Sequence, residues 1–364
     1  MRLFECQACR NLLYFENRTC DKCGHRLAYL PEIGTLSALE PDATGVLMAL
    51  AKTDQPRLFC ANAQHDACNW MLLPNSTGQF CLACRHNRII PDLSQAANVP
   101  AWQQIELAKH RLFYSLLRWR LPLKTTAEDP QHGLAFEFLA DSPAADGPKI
   151  MTGQASGTIT IALDEADDAE REKRREIMKE PYRTLLGHFR HEIGHYYWDI
   201  LVKNSGELDA CRALFGDDTM DYAEALRRHY ASGPPADWQQ HYVSEYATTH
   251  PWEDFAETWA HYLHIVDTLE AVAASGMSVH LGAGTADGQT DQVTFDPYEA
   301  QSIQEIIDTW LPFVFAINGV CRAMGEHDFY PFVLAPAVIG KLGFIHQLIH
   351  SGTWTPNAAV AQRA

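Results

Sequence analysis

The chain has 364 residues, of which 46% are hydrophobic and 21% charged, and a net charge of −17. That composition excludes a disordered or fibrous chain and suits two or three globular domains. Residues 1–100 hold nine basic and nine acidic side chains, so the excess lies in residues 101–364, with 20 basic and 37 acidic; with no basic patch or stripe, a nucleic-acid partner is not expected.

The opening Met1-Arg-Leu-Phe-Glu-Cys-Gln-Ala-Cys-Arg10 has neither an apolar stretch nor a small-residue cleavage site, so no secretory signal is expected. No run reaches the roughly 18 apolar residues of a membrane span. The best candidate, Pro331 to Gly340, is short, is followed by Lys341 and reads as core. The expectation is a cytoplasmic protein with no membrane partner.

Eight of the ten cysteines fall in the first 84 residues. Without an export signal, their spacing reads as metal binding rather than disulfides. Residues 1–30 form a first unit in which Cys6-x2-Cys9 and Cys20-x2-Cys23 supply the four thiolates of a tetrahedral structural zinc site, with Gly24 suited to the tight knuckle. Residues 31–56 read as a spacer, with a short helix between Ser37 and Ala51. Residues 57–92 form a second unit, in which the knuckle Cys81-x2-Cys84 is joined by Cys60 and Cys68. His65 is the alternative to one of these cysteines, though it reads better as a loop residue. Both sites have four protein ligands and no open position, so they serve folding; units of about 30 residues need such a staple. Cys211 and Cys321 read as isolated, buried apolar side chains.

Residues 93–100 read as a linker, and residues 101–364 as one larger domain. Ile105, Leu107, Ala108, Leu112, Phe113, Leu116 and Leu117 recur at helical spacing. Strands are expected over 134–139 and 158–163. A charged helix follows over 167–180, stopping before Pro181. Further helices are expected over 182–202, 251–274, 298–321 and 334–350, with a loop over 279–292.

His191-Glu192-Ile193-Gly194-His195 is an H-E-x-x-H motif within the helix predicted at 182–202. Residues four apart share a helix face, so both imidazoles reach one zinc ion, and Glu192 sits beside the zinc-bound water as general base. Gly194 costs helix propensity, which suggests a packing or access reason. The strand at 158–163 is where a zinc peptidase would keep its substrate-pairing edge. A third ligand is needed that leaves one position for water. The metzincin continuation fails, because its Gly and His positions are Trp198 and Leu201. Glu253 and Glu257, four apart at the start of the helix at 251–274, offer one ligand and one residue to orient a ligand imidazole. Glu257 and Glu245 are weaker alternatives as the third ligand. His188 suits a supporting role, and His250, His261 and His264 read as surface or core histidines.

Tyr246-Ala-Thr-Thr-His-Pro-Trp-Glu-Asp-Phe-Ala-Glu257 resembles the stretch that carries the third ligand in gluzincin-type zinc peptidases of the lethal-factor-like group. Through the cysteine units, the Ile90-Pro-Asp-Leu-Ser94 stretch and the two motifs, almost the whole chain resembles the bacterial zinc-binding metallopeptidases with an N-terminal zinc ribbon. The resemblance implies an α+β protein: a zinc-ribbon region followed by a mainly helical zincin-like domain with a small sheet. It also implies Glu253 as third ligand, Tyr246 near the oxyanion and Glu257 behind a ligand. The expected chemistry is hydrolysis of a peptide or protein substrate, with one catalytic and two structural zinc ions. The ribbons offer a surface for a protein partner, and a catalytically silent, zinc-stabilised interaction module is the alternative reading.

Overall fold

The computed structural model describes residues 1–73, 75–76, 78–140, 150, 152–178, 183–280 and 290–352. Among them, Met1–Arg174 form one compact unit and the residues from Arg175 onward a second.

The first unit opens with the hairpin β1 (Phe4–Glu5) and β2 (Leu12–Leu13), followed by β3 (Leu27–Leu30), β4 (Thr35–Pro41) and β5 (Leu47–Ala49) in an antiparallel sheet. The expected spacer therefore carries two strands in place of its short helix. Leu36, Ala38, Leu39 and Ala49 are buried, and pairing Thr35–Ala38 to Leu27–Leu30 outweighs local helix preference. Ala28, Leu30, Leu39, Ala49 and Met71 share one hydrophobic cluster, so the two cysteine-bearing segments pack on a common core. Tyr29 couples them further: its N–H donates to the carbonyl of Asn69, and its carbonyl accepts from the N–H of Met71.

β6 (Asn87–Ile89) leads into α1 (Asn98–Arg118), which buries Trp102, Ile105, Leu112, Phe113 and Leu116. The helix thus begins inside the expected linker. β7 (Ala135–Leu139), β8 (Gly153–Ala155) and β9 (Thr158–Ala162) complete a four-stranded sheet in the order β6-β7-β9-β8. β7 and β9 run parallel, and β8 pairs antiparallel to the other side of β9. The two expected strands are present to within a residue. β9, however, has a neighbour on each side and is not a free edge for a substrate to pair with; the short β8 takes the edge instead. The charged α2 (Asp168–Met178) follows.

The second unit is helical. α3 (Leu185–Trp198) starts where the Thr184 hydroxyl accepts the N–H of Gly187, and runs on as a π turn over Asp199–Lys203. The expected start at Tyr182 lies outside the described residues. α4 (Leu208–Phe215) and α5 (Tyr222–Ser232) were not anticipated. α6 (Pro251–Ser275) has proline in its first turn, the His250 ring as N-cap and Gly276 at φ 65° to close it. β10 (Ser278–His280) and β11 (Thr290–Gln292) pair where a loop was expected, with 281–289 outside the described residues. α7 (Ile303–Ala323) begins after the Ser302 cap rather than at Tyr298, and α8 (Pro336–His350) closes the unit.

α3 and α6 are the central pair of this unit, and α6 also packs on α4, α7 and α8. Phe189, Ile193, Tyr197, Phe255, Trp259 and Leu263 fill the core between them. Among the described helices, Ile303–Ala323 alone is long and apolar enough to cross a membrane, with mean hydropathy 1.2; it packs on α6, α8 and the β10–β11 hairpin.

Candidate metal centres

In the first cysteine unit, Cys6, Cys9, Cys20 and Cys23 bring their sulfurs together, with Cys6–Cys23 at 3.7 Å and Cys9–Cys20 at 3.6 Å. A tetrahedral zinc with sulfurs at ~2.3 Å has edges of about 3.8 Å, so the donors fit. Each knuckle closes on a left-handed residue. Gly24 (φ 74°) donates its N–H to the Cys20 carbonyl, and Arg10 (φ 61°) donates to that of Cys6.

Cys60, Cys68, Cys81 and Cys84 also converge, all buried, with Cys68 and Cys81 sulfurs 3.7 Å apart. His65 stands apart: its ring meets Gln64 and the edge of Trp102. The histidine that reaches these thiols is His110 of α1, whose Nε2 lies 3.2 Å from the Cys68 sulfur. Sequence reasoning missed it because it stands 26 residues beyond Cys84, outside any ligand spacing.

The third centre lies in the second unit. On α3, His191 and His195 turn their Nε2 atoms toward each other at 3.1 Å. From α6, Oε2 of Glu253 lies 2.9 Å from Nε2 of His191 and 3.4 Å from that of His195. Zinc bonded to nitrogen and oxygen at ~2.0–2.2 Å would require edges of about 3.3–3.6 Å, close to this triangle.

The tautomers strengthen the fit. Oε1 of Glu257 is 2.7 Å from Nδ1 of His191, so that nitrogen carries the proton. Nε2 of His191 is then the atom that faces the Glu253 carboxylate and the second imidazole. Glu253 Oε2 is buried and has no hydrogen-bond partner among the described residues. Two imidazoles and a carboxylate buried and turned on one another in this way form a site for positive charge, carried by ring protons or by a metal ion.

The second oxygen of Glu257 accepts from the Ser244 hydroxyl at 2.6 Å, and Oε1 of Glu253 accepts from the Tyr222 hydroxyl at 2.7 Å. Burial raises the Glu257 carboxyl, but the hydrogen bond and charge of His191 outweigh it and hold it down at about 2. For Glu253, burial is likewise overcome by His195 and His191, which keep it well below the usual carboxylate range. Burial opposes protonation of His191, yet its bonds to Glu253 and Glu257 push it well above an ordinary imidazole. These shifts describe a site whose negative charge calls for a positive one.

Helix contact explains how Glu253 reaches α3. A Cβ at residue 194 would lie 3.0 Å from Cα of Ala256 and 3.1 Å from Cβ of Trp259, so Gly194 permits the close approach of α6. Tyr197 stacks on Trp259 with ring centroids 5.0 Å apart, and the buried Arg190 pairs with Asp267. Trp252 lies against the His195 ring at 3.7 Å.

Glu192 is buried on the motif helix, and Tyr246 stands 5.9 Å from His191, ring centre to ring centre. Burial first, and then the charge of Glu253, raises the Tyr246 hydroxyl pKa, so it stays a donor. Tyr222 is raised in the same way. Glu245 is exposed, and neither it nor His188 joins the converging atoms among the described residues. His250 caps α6 and donates to the Met220 carbonyl, His261 bonds Tyr330, and His264 contacts Arg190. Tyr222, Ser244 and Trp252 were not anticipated. Ser244 and Trp252 sit within the stretch that carries Tyr246 and Glu253, whereas Tyr222 comes from a separate helix.

Residues 98–348 match the family described as "Putative zinc-binding metallo-peptidase", and residues 3–95 match a zinc-ribbon domain. The chain is 40% identical over 350 residues to proteins of Mycobacterium bovis and Mycobacterium tuberculosis that are named as uncharacterized; the match covers 96% of this chain and 95% of theirs. No solved structure matches it. The chain belongs to this family of zinc-binding metallo-peptidases and carries a zinc-ribbon domain ahead of the matching region.

Proposed function

We propose that the protein hydrolyses peptide bonds at a zinc ion held by His191, His195 and Glu253, and that the two cysteine centres hold structural zinc. The observation that carries the reading is the triangle of two Nε2 atoms and one carboxylate oxygen, with edges of 2.9 to 3.4 Å, backed by Glu257 on the far nitrogen of His191. Zinc bound there would supply Lewis acidity toward a scissile carbonyl and toward water.

The chain's own residues do the rest. Glu192, next to the ligand His191, takes the proton of the attacking water and passes it to the leaving amine. Tyr246 keeps its proton and donates to the carbonyl oxygen as that atom gains charge. Glu257, held by Ser244, fixes the proton of His191 on Nδ1 so that Nε2 faces the ion. Glu253 binds through one oxygen while Tyr222 holds the other.

The test pairs metal content with digestion of a peptide library. Glu192→Gln should keep the zinc content of the unsubstituted protein and lose hydrolysis by roughly 10²- to 10⁴-fold. Undiminished cleavage in that variant removes Glu192 from the base role. Absence of cleavage by the fully zinc-loaded, unsubstituted protein favours a catalytically silent interaction module instead.

A further inference from the structure

The second cysteine centre has one donor more than a tetrahedral ion uses. Nε2 of His110 lies 3.2 Å from the sulfur of Cys68, 3.6 Å from that of Cys84 and 3.9 Å from that of Cys81. An imidazole and a thiolate on one zinc stand about 3.5 Å apart, from bonds of ~2.0 and ~2.3 Å at the tetrahedral angle. His110 therefore stands to these three sulfurs as a fourth ligand would.

Its tautomer points the same way. Nδ1 of His110 lies 2.6 Å from the main-chain carbonyl of Glu106, one turn earlier on α1. A carbonyl only accepts, so Nδ1 carries a proton, and Nε2 is the nitrogen left to face the sulfurs. The ring is buried, and Trp70 lies edge-on against it at 5.1 Å, so it cannot swing out to water.

Charge gives a reason for the fifth donor. Four thiolates on a divalent ion leave a doubly negative centre, whereas three thiolates and an imidazole leave a singly negative one. All four cysteines are buried, and the neighbouring Lys109 is already paired with Glu106 at 2.9 Å. A less negative centre costs less to keep from water.

We propose that His110 is a fifth donor to the second zinc centre and can take the coordination position of Cys60. The inference stands on the first unit alone and is independent of the peptidase chemistry.

The experiment uses the full chain in four forms: unsubstituted, Cys60→Ala, His110→Ala and the double variant. Zinc per chain is counted, and the cadmium-substituted proteins are compared by cadmium-113 NMR. Cys60→Ala should keep the zinc count of the unsubstituted protein, while its cadmium resonance moves in the direction of nitrogen-for-sulfur exchange. Adding His110→Ala should then remove one ion per chain. Release of the ion from Cys60→Ala alone, or retention by the double variant, overturns the proposal. Cys60→Ser, which keeps the side-chain volume, carries the same comparison with and without His110→Ala if the alanine variant does not fold.

Discussion

The Tyr222 hydroxyl donates to Oε1 of Glu253 across 2.7 Å, and the other oxygen of the same carboxylate faces the two imidazoles of the motif helix. The tyrosine thereby divides the labour of the carboxylate, with one oxygen anchored and one free to ligate. A carboxylate held in this way binds an ion through a single oxygen, which leaves a position for water or substrate. Tyr222→Phe removes the anchor and keeps the ring that meets Trp252 edge-on at 6.1 Å. Zinc affinity at this centre should fall by about 10- to 100-fold. Competition with a chelator measures it, and an unchanged affinity would show that Tyr222 does not position the ligand.

Glu257 acts one step further back, through His191. Its carboxylate bridges the Nδ1 proton of that ring and the Ser244 hydroxyl, with both contacts under 3 Å. Glu257→Gln can present its amide nitrogen to His191 instead, which favours the tautomer whose Nε2 carries the proton and cannot ligate. We expect a loss of zinc affinity of roughly 10- to 100-fold with little change in the helical circular-dichroism signal. Ser244→Ala should lose less, because the carboxylate remains. Equal losses in the two variants would contradict this order of importance.

Gly194 sets the distance between the helices that carry the proposed ligands. Alanine there would gain about 1 kcal/mol of helix propensity but would press a methyl group on the backbone of Ala256 at 3.0 Å. Overpacking of this kind costs about 1–3 kcal/mol, and the yielding partner is the helix that carries Glu253. Gly194→Ala should therefore lower the melting temperature by a few degrees and weaken zinc binding together. Higher stability with unchanged zinc affinity would mean that α6 can shift without moving Glu253.

The parts of the site that could be read in advance are those written in local spacing. His191 and His195 are one helical turn apart, as are Glu253 and Glu257, so each pair declares its shared face before any fold is known. The cysteine knuckles are local in the same sense. Tyr222 was illegible because it stands 31 residues before Glu253 and meets it only through packing of α5. His110 was equally remote, though a sign was present: Glu106, Lys109 and His110 interrupt the apolar face of α1, and all three are buried. Charged groups on a buried face imply partners, and here the partners are each other and the cysteine centre. β4 and β5 were missed for a related reason, since the pairing of β4 with β3 and of β5 with β4 outweighs a local pattern that reads as helix.

Acid should destabilise the second unit through His346. This ring is buried on α8, and its Nδ1 accepts from the Tyr262 hydroxyl at 2.8 Å, which requires that nitrogen to be unprotonated. Burial, and then the charge of the neighbouring His350, lowers its pKa from 6.5 to about 4. Because the folded value lies below the unfolded one, the unfolded chain takes up the proton first as pH falls. The stability this group contributes is complete above pH 6.5 and is lost progressively between 6.5 and about 4. His346→Asn keeps an acceptor for Tyr262 and removes the titration. Calorimetry across that window should show a smaller fall in melting temperature for the variant than for the unsubstituted protein. Parallel curves would place the acid sensitivity elsewhere in the fold.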